Sequence, residues 1–294
     1  MINRRRAPSS EVSRSKKIAG HNVEGFFASI IDGTVIKGTQ KGDVIDKNKI
    51  VYSVKSGKKW QILLYSYKRI CQSTYLNILQ PCLESFTKDY KKFVNDRVSC
   101  ISYKEKYLEK FGKEKAKLLS NDEVNKKIGP NSYTDAKKNL SKATLDVVKI
   151  LNDKEKLKDF LSEAIFNINE VSFLAIQDDY YKRDKSIHVF SKEAVLSIIC
   201  KEISCSISSA GNVPIDYNVP GQKTIFKYKK NDGKQKNIIE IEVRTDSESK
   251  YRSIRFNMYS KDTLYLLLER NNNIKKEEIF PSLFAYGIAT EIFN

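Results

Sequence analysis

The stretch Gly42-Asp43-Val44-Ile45-Asp46-Lys47-Asn48-Lys49-Ile50-Val51-Tyr52-Ser53-Val54-Lys55 decides how this chain is read. Two runs rich in β-branched residues flank a polar Lys47-Asn48-Lys49 break, the pattern of two strands joined by a turn. Strands over 42–46 and 50–55 are therefore predicted to pair as a hairpin. Side chains two apart on a strand face the same way, so Ser53 and Lys55 share a face, and the hairpin sets that face beside Asp43. Upstream, Val23, Phe26, Phe27, Ile30 and Ile31 recur at helical spacing until Asp32-Gly33 ends the run. A short strand is expected over 34–36. Glu24 lies on the flank of the helical stripe, from which it can reach toward the sheet. Glu24, Asp43, Ser53 and Lys55 then make a small acidic pocket with one lysine.

Such a pocket suits phosphodiester hydrolysis. That reaction needs a divalent metal held by oxygen ligands, an activated water, and a cation beside the phosphate to offset developing negative charge. The composition agrees with an anionic partner. Across 294 residues, 53 Lys and Arg face 36 Asp and Glu, giving a formal net charge of +17 and a pI near 9.4. That excess points to nucleic acid, although the Lys-, Asn- and Ile-rich composition also resembles translation of an AT-rich genome. No apolar run is long enough to span a bilayer. The basic start Met1-Ile2-Asn3-Arg4-Arg5-Arg6 has no apolar segment behind it, so no secretory signal is expected. Cys71, Cys82, Cys100, Cys200 and Cys205 are odd in number and form no CxxC, so reduced thiols in a cytoplasmic protein are expected in place of disulfides or zinc.

In the order of its parts the chain resembles the PD-(D/E)XK nuclease superfamily. The family pattern is a helix with an acidic residue, a strand with an Asp, and a strand with an acid-x-Lys pair. Here those positions read Glu24 in GHNVEGFFASII, Asp43 in KGDVID, and Ser53-x-Lys55 in VYSVKSGKKWQ. The string VIDKNKIVYSVKSGKKWQ looks like type II restriction endonucleases in particular. The resemblance covers about residues 20–86. It implies that Asp43 and Glu24 hold Mg2+, that Lys55 aids the nucleophile and phosphate, and that Gln61 helps orient the site. Two positions depart from the pattern. Gly42 stands where the family often has Pro, and Ser53 where it has Asp or Glu. Some restriction enzymes of the superfamily carry Ser-x-Lys and take the second acid from a helix, for which Glu24 or Glu84 would serve. The resemblance further implies double-stranded DNA as substrate, a homodimer matched to a two-fold symmetric site, and a separate DNA methyltransferase protecting the host genome.

The expected fold is α/β: a restriction-endonuclease-like core with a mixed central β-sheet flanked by helices, a helical insertion and a β-rich C-terminal part. Residues 1–18 read as a flexible basic arm and 19–294 as one domain. Its core covers about 20–86 and 168–205, its insertion about 87–167, and its β-rich, DNA-contacting part about 206–294. Within these, Trp60–Leu64 is an apolar run, and a helix is predicted from about Tyr67 to Phe86. A helical stripe runs through Leu157, Phe160, Leu161, Ala164 and Ile165, and strands are predicted over Val171–Ile176 and Ser186–Phe190. Ser191 is placed as a helix cap, strands over Thr224–Lys229, Ile238–Arg244 and Ser253–Tyr259 follow, and a helix begins at Asp262.

Candidate DNA contacts are Lys58 and Lys59, which flank Trp60, and Lys227, Lys229, Arg252 and Arg255 on the C-terminal strands. Asn212, Asn218 and Gln222 in the loop 211–222 offer amides for base edges. A rival acidic set, Asp216 with Glu240, Glu242 and Arg244, is more simply an exposed sheet face. His21 reads as a surface residue at a helix start and His188 as a satisfied core histidine. No HNH-type or phospholipase-D-type histidine motif occurs, nor a GxxxxGK[ST] phosphate loop or a GxSxG elbow. Two other functions stay open: a non-catalytic nucleic-acid-binding protein with a degenerate site, and a structure-selective DNA nuclease.

Overall fold

A computed structural model describes residues 21–38, 41–80, 145–178, 186–208, 223–243, 253–271 and 276–293. The arm 1–18, most of the 87–167 segment, the loop 211–222, Glu84, Asp216, Arg244 and Arg252 lie outside these residues. The class is α/β, and the strands form two sheets where the sequence suggested a single central one.

The first sheet begins with the helix α1 (21–30) and three short antiparallel strands, β1 (Thr34–Val35), β2 (Val44–Ile45) and β3 (Val51–Lys55). Asp32, with φ of 53°, turns the chain out of α1. Asp46 shapes the β2–β3 turn, its carboxylate accepting from Asn48 N and Ile50 N. A crossover through the helix α4 (Lys154–Phe166), which follows the helices α2 (Tyr67–Gln72) and α3 (145–151), leads to β5 (Phe173–Gln177), parallel to β3. Strand β6 (Ile187–Ser191) continues the sheet antiparallel to β5. Strand β12 (Leu283–Tyr286) then pairs parallel to β6, and β11 (Lys276–Phe280) forms the edge. The sheet order is β1-β2-β3-β5-β6-β12-β11.

The second sheet is antiparallel, ordered β4-β10-β9-β8-β7. It contains β4 (Lys59–Ser66), β7 (Ile203–Ser208), β8 (Lys223–Lys229), β9 (Gln235–Val243) and β10 (Ser253–Tyr259). Helix α5 (Lys192–Glu202) precedes β7, and helix α6 (Ser260–Arg270) follows β10. The partition of the sequence into core and C-terminal part therefore does not follow the sheets. Residues 59–66, expected in the core, begin the second sheet, while 276–286, expected in the C-terminal part, complete the first.

Two apolar clusters explain this layering. One face of the first sheet, carrying Tyr52, Val54, Phe173, Ala175, Ile187 and Val189, is covered by Phe27 and Ala28 of α1, by Ile31 just after it, and by Ala289 of the C-terminal 3-10 turn. Tyr52 stacks edge-on against Phe27 at 5.3 Å. The opposite face, with Leu174, Ile176 and Phe190, joins α4, α5 and α6 and the inner face of the second sheet in one larger core. Burial of this much aliphatic and aromatic surface is the dominant favourable term of folding. One position in the α1 stripe is corrected. Phe26 is 49 % exposed, and Ala28 takes its place against the sheet. The helix predicted over 67–86 is also corrected. It stops at Gln72, and a 3-10 turn over Leu76–Leu79 follows. Glu163 of α4 fixes that turn, accepting from Tyr75 N at 2.6 Å and from the Ser73 hydroxyl.

Candidate functional site

Asp43 sits just before β2, opposite Ser53 of β3. Its backbone N–H donates to Tyr52 O at 2.8 Å, and Ile36 N donates to Asp43 O at 3.0 Å. Strand β2 is short, so the carboxylate takes over where the backbone ladder stops. Val54 N donates to Asp43 Oδ2 at 2.7 Å, Lys55 Nζ donates to the same oxygen at 2.7 Å, and Ser53 Oγ donates to it at 3.1 Å. Three donors, one of them cationic, thus converge on Oδ2, a strong charge-assisted arrangement. Oδ1 accepts no hydrogen bond from a described residue. The Asp43 and Lys55 side chains keep 21 % and 22 % of their surface open, so the pair is half-sunk, whereas Ser53 is buried.

Gly42 is dictated by packing. A Cβ there would stand 2.3 Å from Val51 Cγ1 and 3.1 Å from Ile36 Cδ1, so the approach that brings Asp43 to Ser53 leaves no space for a side chain, proline included. Lys41, which the sequence reading passed over, anchors the same corner. Its ammonium donates to Ala164 O at 2.6 Å and to Ile62 O, tying the hairpin to the carbonyl end of α4 and to β4.

The structure brings together three of the four expected pocket residues. Glu24 is held apart from them on its own helix, where Oε2 pairs with His21 Nδ1 at 2.9 Å. Helix α1 covers the face of Tyr52 and Val54, whereas Ser53 and Lys55 alternate onto the other face. Gln61 is part of β4 and stands opposite Asn257 in the second sheet. Among the described residues no three His, Cys, Asp or Glu side chains gather as a metal-binding group.

Searches against protein-family models, curated proteins and solved structures found no match to the chain.

The neighbouring candidates divide by burial. Lys58 is exposed. Lys59 bonds Glu240 Oε1 at 2.8 Å and lies 4.9 Å from the centre of the Tyr259 ring. Trp60 is buried in the larger core. Glu240 corrects the expectation of an exposed acidic face: it is 3 % exposed and also accepts from Tyr259 OH at 2.8 Å and Asn257 Nδ2 at 3.3 Å. A buried carboxylate stays charged only when partnered in this way. Lys227 is half-buried and Lys229 exposed, while Arg255 is half-buried.

His21 is a surface residue, its side chain 58 % exposed, and His188 is a satisfied core residue. His188 Nδ1 meets Tyr286 OH at 2.8 Å, and its Nε2 meets Ser186 Oγ at 3.2 Å. Burial, aided by the Lys276 charge and opposed by Asp178, lowers its pKa to about 4. Cys200 and Cys205 are free and buried, and burial pushes their pKa values up to about 11 and about 12. No described helix is long and apolar enough to cross a membrane.

Proposed function

We propose that this chain is a Mg2+-dependent nuclease of the PD-(D/E)XK kind, acting on double-stranded DNA. The reading rests on one observation: Asp43 and Lys55 meet across a tight hairpin with Ser53 between them, beside a carboxylate oxygen that no described donor engages. The order helix, hairpin with Asp, strand with x-Lys is also the order that the superfamily pattern requires.

The donor set fits magnesium in a restricted sense. The ion keeps several waters and needs only one or two carboxylates together with substrate phosphate. Asp43 would hold it through Oδ1, whereas Glu24, which the resemblance also puts forward, is carried by α1 on the other face of the sheet and would not share the ion with Asp43 in this arrangement. Bound magnesium polarises the phosphate and makes its water a better nucleophile. The chain's own groups do the remainder. Lys55 Nζ, held at 2.7 Å from Asp43 on a side chain that keeps 22 % of its surface exposed, would pair with a phosphate oxygen. Ser53 and Val54 N fix the carboxylate's orientation, so little reorganisation is needed when substrate arrives. Exposed Lys58 suits a backbone contact next to the cut. A homodimer on a two-fold symmetric sequence and a partner methyltransferase belong to the same reading.

The test is incubation of the purified protein with unmethylated phage DNA, with and without Mg2+, beside Lys55→Ala. Discrete Mg2+-dependent fragments that vanish in the variant are expected. A second reading, a non-catalytic DNA-binding protein, is favoured by Ser53 in the acid position and by the full engagement of Oδ2 with the chain's own donors. Intact DNA under all conditions with a salt-sensitive gel shift would establish it.

A further inference from the structure

The hairpin joining β8 and β9 has a composition that the nuclease pocket does not explain. Residues 227–237, KYKKNDGKQKN, hold five lysines against one aspartate. A register shift lies between Phe226 and Lys227. Phe226 pairs with Ile239, yet Lys227 pairs with Asn237, so Ile238 is an extra residue on β9. Ile238 and Ile239 are consecutive and both fully buried. The bulge reverses the parity of β9 beyond that point. Asn237 and Gln235 therefore come onto the same face as their partners Lys227 and Lys229. With Ser204 of β7, opposite Lys227, they make a face on which amides alternate with lysines. Asn237, Gln235, Lys229 and Ser204 are exposed, and neither amide bonds to a described residue.

The other side of the hairpin is clamped. Arg270 Nη1 donates to Asn231 Oδ1 at 2.9 Å while its Nε donates to Glu202 at 2.8 Å, Asn231 N donates to Glu269 Oε1 at 3.3 Å, and Lys230 Nζ lies 4.2 Å from the Tyr265 ring centre. The ribbon is thus held in place by α6 before any ligand arrives, which lowers the entropy cost of binding. It also lies at the end of the second sheet where β4 starts. The strand order sets β8 three strands from β4, roughly 14 Å at ordinary strand spacing. Strand β4 itself begins four residues after Lys55.

We propose that the β8–β9 ribbon enters the major groove of duplex DNA and that Asn237 and Gln235 read base edges there, flanked by phosphate contacts from Lys227 and Lys229. The proposal rests on the DNA-cleaving function proposed above, whose sequence selection it supplies. Beyond the start of β7, at Lys229 and Gln235, the hairpin is a two-stranded ribbon of the width that fits the major groove, with Lys227 and Asn237 at its base; amide side chains pair with adenine through two hydrogen bonds, and the lysines complement the phosphate charge.

Selection from a pool of randomised duplexes, using the full chain without Mg2+, tests this. The wild type is expected to enrich a defined motif. The Gln235→Ala/Asn237→Ala variant should lose preference at one or two positions of that motif, by about five- to a hundredfold each. Its affinity for unselected duplex should stay within about twofold. Lys227→Ala/Lys229→Ala should instead weaken binding to all sequences and lower the salt slope by about 2. Circular dichroism confirms folding, and Gln235→Glu/Asn237→Asp, which keeps side-chain size, should also lose the preference. Unchanged selection by the amide variants overturns the proposal, as does a wild type that binds duplex without preference or prefers single-stranded RNA. A wild type that selects a motif but does not cut it with Mg2+ sinks the nuclease reading alone, whereas one that binds no duplex sinks both.

Discussion

At the residue scale, the centre of interest is a single carboxylate oxygen. Asp43 Oδ2 accepts from the Lys55 and Ser53 side chains and from the Val54 backbone N–H, so removing either side-chain donor changes the electrostatics of what remains. If Lys55 offsets charge that develops only in the reaction, Lys55→Ala should cut the turnover rate by on the order of a hundredfold or more and change DNA affinity far less. Single-turnover cleavage beside a binding titration separates the two, and equal losses in both would assign Lys55 to simple binding. His188 gives a prediction independent of function. Its folded pKa, about 4, lies below the ordinary 6.5, so the unfolded chain takes up a proton first as the pH falls. The stability linked to His188 is complete above about pH 6.5 and is lost progressively toward pH 4, amounting to roughly 3 kcal/mol. Urea unfolding at neutral and mildly acid pH should show a smaller acid loss in His188→Gln than in the wild type. Identical losses would show that other groups carry the pH dependence.

At the element scale, local signals were read well wherever a motif fixes its own geometry. Ser191 caps α5, its Oγ accepting from Ala194 N at 3.2 Å, and Ser191→Ala should cost about 1 kcal/mol in chemical denaturation. A change below a few tenths would mean that the cap is replaced by water. The 42–55 hairpin, the strand 253–259 and helix α4 were all legible from periodicity. Four strands escaped notice, among them β4, which was read only as the apolar run Trp60–Leu64. Strand β7 carries Ser204 and Ser206 between its apolar residues and follows α5 without a break, so it reads as a continuation of the helix. The edge strand β11 begins Lys-Glu-Glu, whose charges mask the alternation, and β12 is only four residues long. Glu240 was misjudged for another reason: period two shows that it faces away from Ile239 but not that Lys59, Tyr259 and Asn257 close over it. Lys59→Ala removes the Lys59 ammonium from this buried carboxylate and should lower stability by about 1–3 kcal/mol, measured by thermal or urea unfolding. A neutral outcome would mean that the contacts left to Glu240, those from Tyr259 and Asn257 among them, suffice.

At the scale of the whole molecule, the sheet to which a strand belongs was not legible, because pairing between distant segments leaves no local trace. Residues 59–66 follow the candidate site directly yet pair with 253–259, and 283–286 pair with 187–190 from a distance of about a hundred residues. The chain thus passes from the first sheet to the second and back again, and both share the larger core. Unfolding should accordingly be cooperative. Trp60, the only tryptophan, lies in that core, so its fluorescence should change in the same transition as far-UV circular dichroism. An earlier fluorescence change would show that the second sheet unfolds separately.

Between Lys55 and Lys59 the crossing takes only Ser56, Gly57 and Lys58. Gly57 adopts φ of +80°, a conformation other residues rarely take, and Ser260 secures the passage, its hydroxyl donating to Gly57 O and its N–H to Lys58 O at 3.3 Å. In mechanical terms this is a rigid coupling with no slack. The angular phase between the charged ribbon on one sheet and the carboxylate on the other is set by this crossing together with the core that both sheets share. One additional glycine at the crossing would have to be absorbed against that shared core, and on the nuclease reading proposed above it would change the angle at which a duplex held by the ribbon reaches the carboxylate.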